Sequence, residues 1–259
     1  MTGPERSGGR LTARPLAEKV AVVTGGATGI GAGIVQRLAD DGAEVVLCAL
    51  SAAEGEAAAA RLAGPGRTIV AVAADLATAA GCRALVDAAV RHRGRVDILV
   101  NNAGVTGPAA AAPFGEYDDA RLDAVIDVNL KAPFRLARDT LPYMPPGSVI
   151  VNVTSVAAYA AQADASAYVA AKAGLAGLTR ALGFELAGRG VRAVHVAPGD
   201  IRVRPDGPAP GDGPFDRATP LGRRGEPGDV AAAVAWLCTP EASFVTGTGL
   251  VVDGGWTSY

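Results

Sequence analysis

Short apolar runs rich in β-branched residues alternate along the chain with Ala-rich stretches whose apolar positions recur at helical spacing. Val20 to Thr24 precedes Gly31 to Asp40, Glu44 to Cys48 precedes Ala52 to Leu62, and Thr68 to Val72 precedes Thr78 to Arg91. The rhythm continues through Val96 to Val100, a helical pattern around Asp118 to Thr140, Ser148 to Val153, and a second long helical pattern from about Ser166 to Ala187. Val191 to Val196, Val230 to Leu237 and Gly249 to Val252 complete it. Strand runs that are apolar throughout, rather than alternating, indicate burial on both faces. Parallel neighbours require long crossovers, which the intervening helices supply. The pattern predicts an α/β fold, a doubly wound parallel sheet of about seven strands with helices on both faces.

Two segments break the rhythm. Gly199 to Arg224 is rich in Gly, Pro and Asp, too long for a simple connection, and follows a strand. Long structureless loops are usually functional or disordered, and ligands in open α/β sheets bind at the carboxyl ends of strands, so this segment reads as a substrate lid over about 199–224. The first 17 residues carry Arg6, Arg10 and Arg14 among Gly and Pro without an apolar run, which reads as a flexible extension or a misplaced start and not as a signal peptide. Residues 18–259 then form a single domain, since no linker divides two hydrophobic halves.

Composition narrows the function classes. With a formal charge of -2 and no dense Lys/Arg block, the chain has no electrostatic footprint for nucleic acid or an anionic membrane. Cys48, Cys82 and Cys238 are odd in number and lack CxxC spacing, and His92 and His195 have no ligand neighbours in sequence. No metal site is expected, and the compartment expected is the reducing cytoplasm. His195 is expected to be structural.

Candidate chemistry lies at two places. Thr24-Gly25-Gly26-Ala27-Thr28-Gly29-Ile30-Gly31 joins the first strand to the first helix, where glycine lets backbone N–H groups approach a pyrophosphate favoured by the helix N-terminus. Its GxxxGxG spacing differs from the commoner GxGxxG. Tyr168 and Lys172 lie four residues apart in SAYVAAKAG, on one face of a predicted helix. Lowering a tyrosine pKa from about 10 to about 7 asks for roughly 4 kcal/mol, and a neighbouring cation acts in the required direction. Taken alone, the pair also fits a packed Tyr beside a solvated Lys.

These pieces together resemble the short-chain dehydrogenase/reductase family from about Leu16 to Tyr259: TGGATGIG at 24–31, Asp75-Leu76, NNAG at 101–104, Asn129 in VNLKAPF, Ser155, Tyr168 with Lys172, and Pro198-Gly199. The resemblance implies a Rossmann-type domain and an NAD(P)-dependent oxidoreductase that moves a hydride between nicotinamide and a carbonyl or secondary alcohol of a small molecule. It implies a catalytic set of Asn129, Ser155, Tyr168 and Lys172. Ser155 would hold the substrate oxygen, Tyr168 exchange the proton, Lys172 lower the Tyr168 pKa and hold the nicotinamide ribose, and Asn129 help anchor a water-linked relay.

By the same resemblance Gly25, Thr28, Gly29, Ile30 and Gly31 meet the pyrophosphate side of the cofactor. Asp75 and Leu76 meet the adenine, while Asn102, Ala103 and Gly104 lie near the adenosine and its ribose. Pro198, Gly199 and Ile201 reach the nicotinamide, with Val203 where a Thr is frequent; Asn101 secures the central strands. Relatives that prefer NAD commonly carry Asp at the position of Ala49, so its absence leans toward NADP(H) over NAD(H), with Thr28, Leu50 and Ser51 near the 2'-phosphate and no basic residue to assist. A homotetramer is expected, with Trp256 and Tyr259 at a subunit contact. The substrate pocket is expected from the lid, 105–113 and 156–162, with Arg202, Arg204, Arg223 or Arg224 available to an anion.

Two other readings stay open. A same-fold dehydratase, epimerase or cyclase, of the kind used in secondary metabolism, would keep Tyr168 as acid/base without net redox, and product mass separates it from a reductase. A noncatalytic nucleotide-binding scaffold would bind nucleotide without turnover, although binding alone has no need of an aligned phenol and ammonium.

Overall fold

The computed structural model describes residues 14–203 and 219–258. Seven parallel strands form one sheet in the order β3-β2-β1-β4-β5-β6-β7. The strands are β1 Val20–Thr24, β2 Glu44–Ala49, β3 Thr68–Ala73, β4 Ile98–Asn101, β5 Val149–Val153, β6 Arg192–Pro198 and β7 Gly249–Val252. The connecting helices are α1 Gly29–Asp40, α2 Ala52–Leu62, α3 Ala79–Arg93, α4 Asp119–Ile126, α5 Ala132–Thr140, α6 Ser166–Glu185 and α7 Pro227–Cys238.

Successive strand residues face opposite sides, and both sides are covered. Val23, Val45 and Val151 pack with Ile34, Leu38, Val230 and Val234 of α1 and α7. Val22, Val46 and Ile150 pack with Leu85, Val86 and Leu136 of α3 and α5. Double-sided burial explains why these strands are apolar throughout.

Strand order reverses between β1 and β4, and the carboxyl ends of the strands at such a switch point form a crevice. The glycine turn after β1 and Asn102–Gly104 after β4 meet there. The Thr24 hydroxyl bonds them together: it accepts from the backbone N–H of Asn102 at 2.9 Å and of Ala103 at 3.0 Å, and donates to the Val100 carbonyl at 3.3 Å.

One element departs from the pattern. The helix expected over 118–140 is interrupted by a π-helical turn, Asp127–Lys131, between α4 and α5. The wider turn carries Asn129 inward, where it is fully buried. Such turns are frequent at functional sites.

Candidate active site

The turn from Gly25 to Gly31 is a cradle with little room beyond backbone. A Cβ at Gly31 would stand 2.0 Å from the Gly25 carbonyl oxygen, so only glycine permits the close approach. Helix α1 begins with Thr28 as N-cap, no side-chain capping bond and no acidic residue in its first turn. Its first N–H groups and positive dipole end therefore face the crevice, as an anion requires. The Asn102 amide donates to the Thr24 and Gly25 carbonyls at 2.9 and 3.2 Å, fixing the cradle from behind.

Two adjoining cavities run along the crevice. One, of about 310 Å³, is lined by Thr28, Ala49, Leu50, Glu54, Asp75 and Leu76, among others. The next, of about 320 Å³, is lined by Gly29, Ile30, Gly31, Asn102, Ser155, Tyr168, Lys172, Pro198 and Gly199, among others. Gly25, Thr28, Ala103 and Gly104 border both. The donor set and the cradle fit a dinucleotide laid across the switch point.

Not every expected residue reaches this crevice. Ser51 caps α2, accepting from the Glu54 N–H at 3.3 Å, and is absent from the cavity wall, where Glu54 stands instead. Ile201 is buried and lines a separate cavity of about 440 Å³ beside Asp200 and Asp253, while Val203 reaches the chemical end. Arg223 pairs with Asp229 at 2.7 Å and Arg224 with Asp200 at 2.6 Å, so both are engaged in tying down the lid base. Arg202 is exposed. Arg204 and most of the expected lid lie outside the described residues, as does Tyr259. Trp256 is buried within its own chain, which a subunit-contact role did not anticipate.

At the chemical end, three side chains converge. Ser155 follows β5 and its Oγ accepts the Ala157 N–H at 3.1 Å. Tyr168 and Lys172 project from the first half of α6, and the Lys172 Nζ lies 5.6 Å from the Tyr168 ring centroid. Lys172 is 3% exposed and donates to the Val153 carbonyl at 2.8 Å. The Asn129 amide is held in both directions by Val105, accepting its N–H at 2.8 Å and donating to its carbonyl at 3.0 Å. Asn129 thereby shapes the strand exit that faces Lys172. Behind the site, Asn101 donates to Asn152 at 2.8 Å and Asn152 to Thr179 at 2.9 Å, so β4, β5 and α6 are stitched together.

Burial sets the electrostatics of the site. Burial raises the Tyr168 phenol above its ordinary value, and a hydrogen bond with Ser155 opposes this in part. The Lys172 Nζ directs its hydrogen bond at the Val153 main-chain carbonyl, so any influence on the phenol acts through space from 5.6 Å off the ring centroid. Burial lowers Lys172 itself to about 8. The site thus holds a protonated phenol beside an amine that titrates near neutrality.

Comparison with known proteins agrees with this geometry. The model of the family described as "Enoyl-(Acyl carrier protein) reductase" matches residues 25–257. The chain is 41% identical to the cis-4-hydroxycyclohexanecarboxylate dehydrogenase of Sinomonas cyclohexanicum, over 93% of this chain and 98% of that one. It is similar to the short-chain dehydrogenase/reductase from Serratia marcescens, with a TM-score of 0.86 and 35% identity over 94% of this chain and 99% of that one. A blue fluorescent protein from a metagenomic library, solved in complex with NADPH, gives a TM-score of 0.85 and 38% identity over 94% and 99% of the two chains. Fold, crevice and relatives converge: the chain belongs to the short-chain dehydrogenase/reductase family and is an NAD(P)-dependent oxidoreductase of small-molecule alcohols and ketones.

Proposed function

We propose that the protein interconverts a ketone and a secondary alcohol on a compact alicyclic molecule, with Ser155 holding the substrate oxygen and Tyr168 exchanging its proton. The observation that carries this reading is the convergence of Ser155, Tyr168 and Lys172 on the same cavity as the uncapped glycine turn. The alicyclic substrate is supported by the name of the Sinomonas relative.

Bound nicotinamide supplies or accepts the hydride. The chain's own groups handle position and protons. Ser155, its oxygen already accepting the Ala157 N–H, has one hydroxyl hydrogen, which turns from the Tyr168 oxygen to the substrate oxygen when substrate binds. Tyr168, protonated at neutral pH as any tyrosine is and held more firmly so by burial, gives its proton to the oxygen as negative charge develops there. Lys172, with a pKa near 8, reprotonates the phenol or passes the deficit to solvent. Asn129 braces Val105 and keeps the Lys172 pocket open for a water-linked relay. In the oxidising direction each proton moves the other way.

Thr28, Gly29, Ile30 and Gly31 hold the pyrophosphate; Asp75, Leu76, Asn102, Ala103 and Gly104 hold the adenosine; Lys172, Pro198 and Gly199 serve the nicotinamide end, with Val203 on that wall in place of the expected Ile201. The preferred nucleotide is NADP(H). In support, β2 ends at Ala49, without a carboxylate to repel a 2'-phosphate, and a solved relative carries NADPH. Glu54 on the same wall opposes it and keeps the preference small. Residues 18–259 serve as one catalytic domain. The protein works as a homo-oligomer, a tetramer, and the exposed side chains of Phe184, Phe244 and Val251 support a subunit contact. Its three free, buried thiols suit the cytoplasm.

The test is turnover of a panel of alicyclic ketones and alcohols, followed by nucleotide absorbance and product mass. Reduction with a gain of two hydrogens, lost in Tyr168→Phe, supports the reading. Equal turnover by the variant refutes the Tyr168 assignment, and an isomeric product with no nucleotide consumed refutes the redox reaction.

A further inference from the structure

Behind Ser155 lies a polar pair on two distant parts of the chain. The Tyr159 hydroxyl and His195 Nε2 are 2.6 Å apart, joining the residue that closes the turn after Ser155 to the middle of β6. His195 is 3% exposed, in a sheet whose other strand positions are almost all apolar, and its Nδ1 has no hydrogen-bond partner. Its ring occupies space that β7 leaves open: a Cβ at Gly249 would stand 2.2 Å from the imidazole. Gly249 is not among the glycines with positive φ, so backbone conformation does not demand glycine there. What the position uses is the missing side chain, and the imidazole is what fills it.

The turn that this pair anchors bears directly on Ser155. Val156–Ala158 is a single 3-10 turn, closed by the Ala158 N–H on the Ser155 carbonyl at 2.9 Å and the Tyr159 N–H on the Val156 carbonyl at 2.9 Å. Within it the Ala157 N–H reaches Ser155 Oγ at 3.1 Å. A turn this short is weakly held by its own bonds. We propose that Tyr159 and His195 are positioning residues: they clamp this turn onto β6 and so keep the Ser155 hydroxyl aimed to donate to the substrate oxygen.

The chemistry of the ring fits a passive clamp. Burial, with the charge of Arg180 nearby, lowers the His195 pKa, which keeps the ring neutral. A buried bare lone pair is cheaper than a buried bare N–H, so the proton belongs on Nε2, donating to the Tyr159 oxygen. Tyr159 is 54% exposed, and its own hydrogen is free for solvent.

The inference rests on the reading of Ser155 given above, and the experiment separates the two. His195→Ala, Tyr159→Phe, His195→Gln, Ser155→Ala and the double variant Ser155→Ala/His195→Ala are compared with wild type, using NADPH and the alicyclic ketone that wild type reduces fastest. His195→Ala and Tyr159→Phe should each lower kcat about tenfold with the KM for NADPH unchanged. His195→Gln, which offers an amide N–H near the Nε2 position, should restore most of it. In the Ser155→Ala background, His195→Ala should add less than about twofold, because the group it positions is gone. Wild-type kcat in His195→Ala, with Ser155→Ala impaired, overturns the clamp alone, as does a full additive loss in the double variant. Wild-type kcat in Ser155→Ala overturns the Ser155 reading and the clamp with it. A crystal structure of His195→Ala supplies a readout free of turnover: a broken Ala157–Ser155 Oγ contact supports the clamp, and an unchanged turn overturns it.

Discussion

Each edge of the sheet buries one charged side chain, and the two are treated in opposite ways. At the amino edge Asp97 is 1% exposed and well partnered: it accepts the Val20 N–H at 3.0 Å and Arg95 Nε at 3.0 Å, with a second contact from Arg95 and Lys19 at 3.4 Å. At the carboxyl edge Lys172 is equally buried, but the acceptor it finds is a single carbonyl, Val153. No ion pair to it is formed among the described residues. A buried charge with full partners stabilises a fold or roughly breaks even, whereas a poorly partnered one costs stability. The first edge is built to hold together. The second accepts a penalty, and its amine titrates near neutrality as a result.

The contrast is sharpened most by Tyr168→Phe, which removes the proton donor but leaves packing nearly unchanged. Turnover should fall by about 10²–10⁴, the range for loss of a positioned acid/base, with thermal stability preserved and NADPH still bound. Asp97→Ala is the mirror experiment at the other edge. Orphaning the buried Val20 N–H should cost about 2 kcal/mol in urea unfolding while kcat stays within about twofold. A large loss of kcat there would break the division between the edges. A smaller effect is expected at the nucleotide end. Ala49→Asp should shift the kcat/KM ratio from NADP(H) toward NAD(H) by about tenfold, through repulsion of a 2'-phosphate that Glu54 already opposes.

Much of this was legible in the chain. β1, α2 and β7 begin and end where the apolar and helical patterns place them, and in β1 the cause is burial at all five positions, which leaves no exposed residue to blur its limits. Ser155, Tyr168, Lys172 and the glycine turn were readable because their chemistry dictates residue type and spacing. The π-turn at Asn129 was not, since one extra residue in a turn leaves the 3.6 periodicity nearly intact. Glu54 was missed because it lies on the first turn of α2, past the strand end that motifs describe. The lid-base arginines looked free for an anion because their partners Asp200 and Asp229 are set by tertiary folding. His195 looked structural, and its link to Tyr159 spans 36 residues that no local pattern connects. Gly249, a glycine with no turn to make, was the available signal.

Lys172 offers the most direct measurement, since one substitution reads both activity and stability. The folded-state pKa, about 8, lies below the ordinary 10.5, so beneath pH 8 the native state bears the full cost of a buried ammonium, on the order of 3 kcal/mol. As pH rises from 8 to 10.5 the native state sheds its proton before the unfolded chain does, and this group's contribution to stability increases. Melting of wild type and Lys172→Met across that window, with turnover recorded alongside, tests the account. It predicts that the variant loses turnover, melts higher at pH 7 and lacks the rise in stability that wild type shows between pH 8 and 10.5. A variant that melts lower at pH 7, or that keeps wild-type turnover, would contradict it.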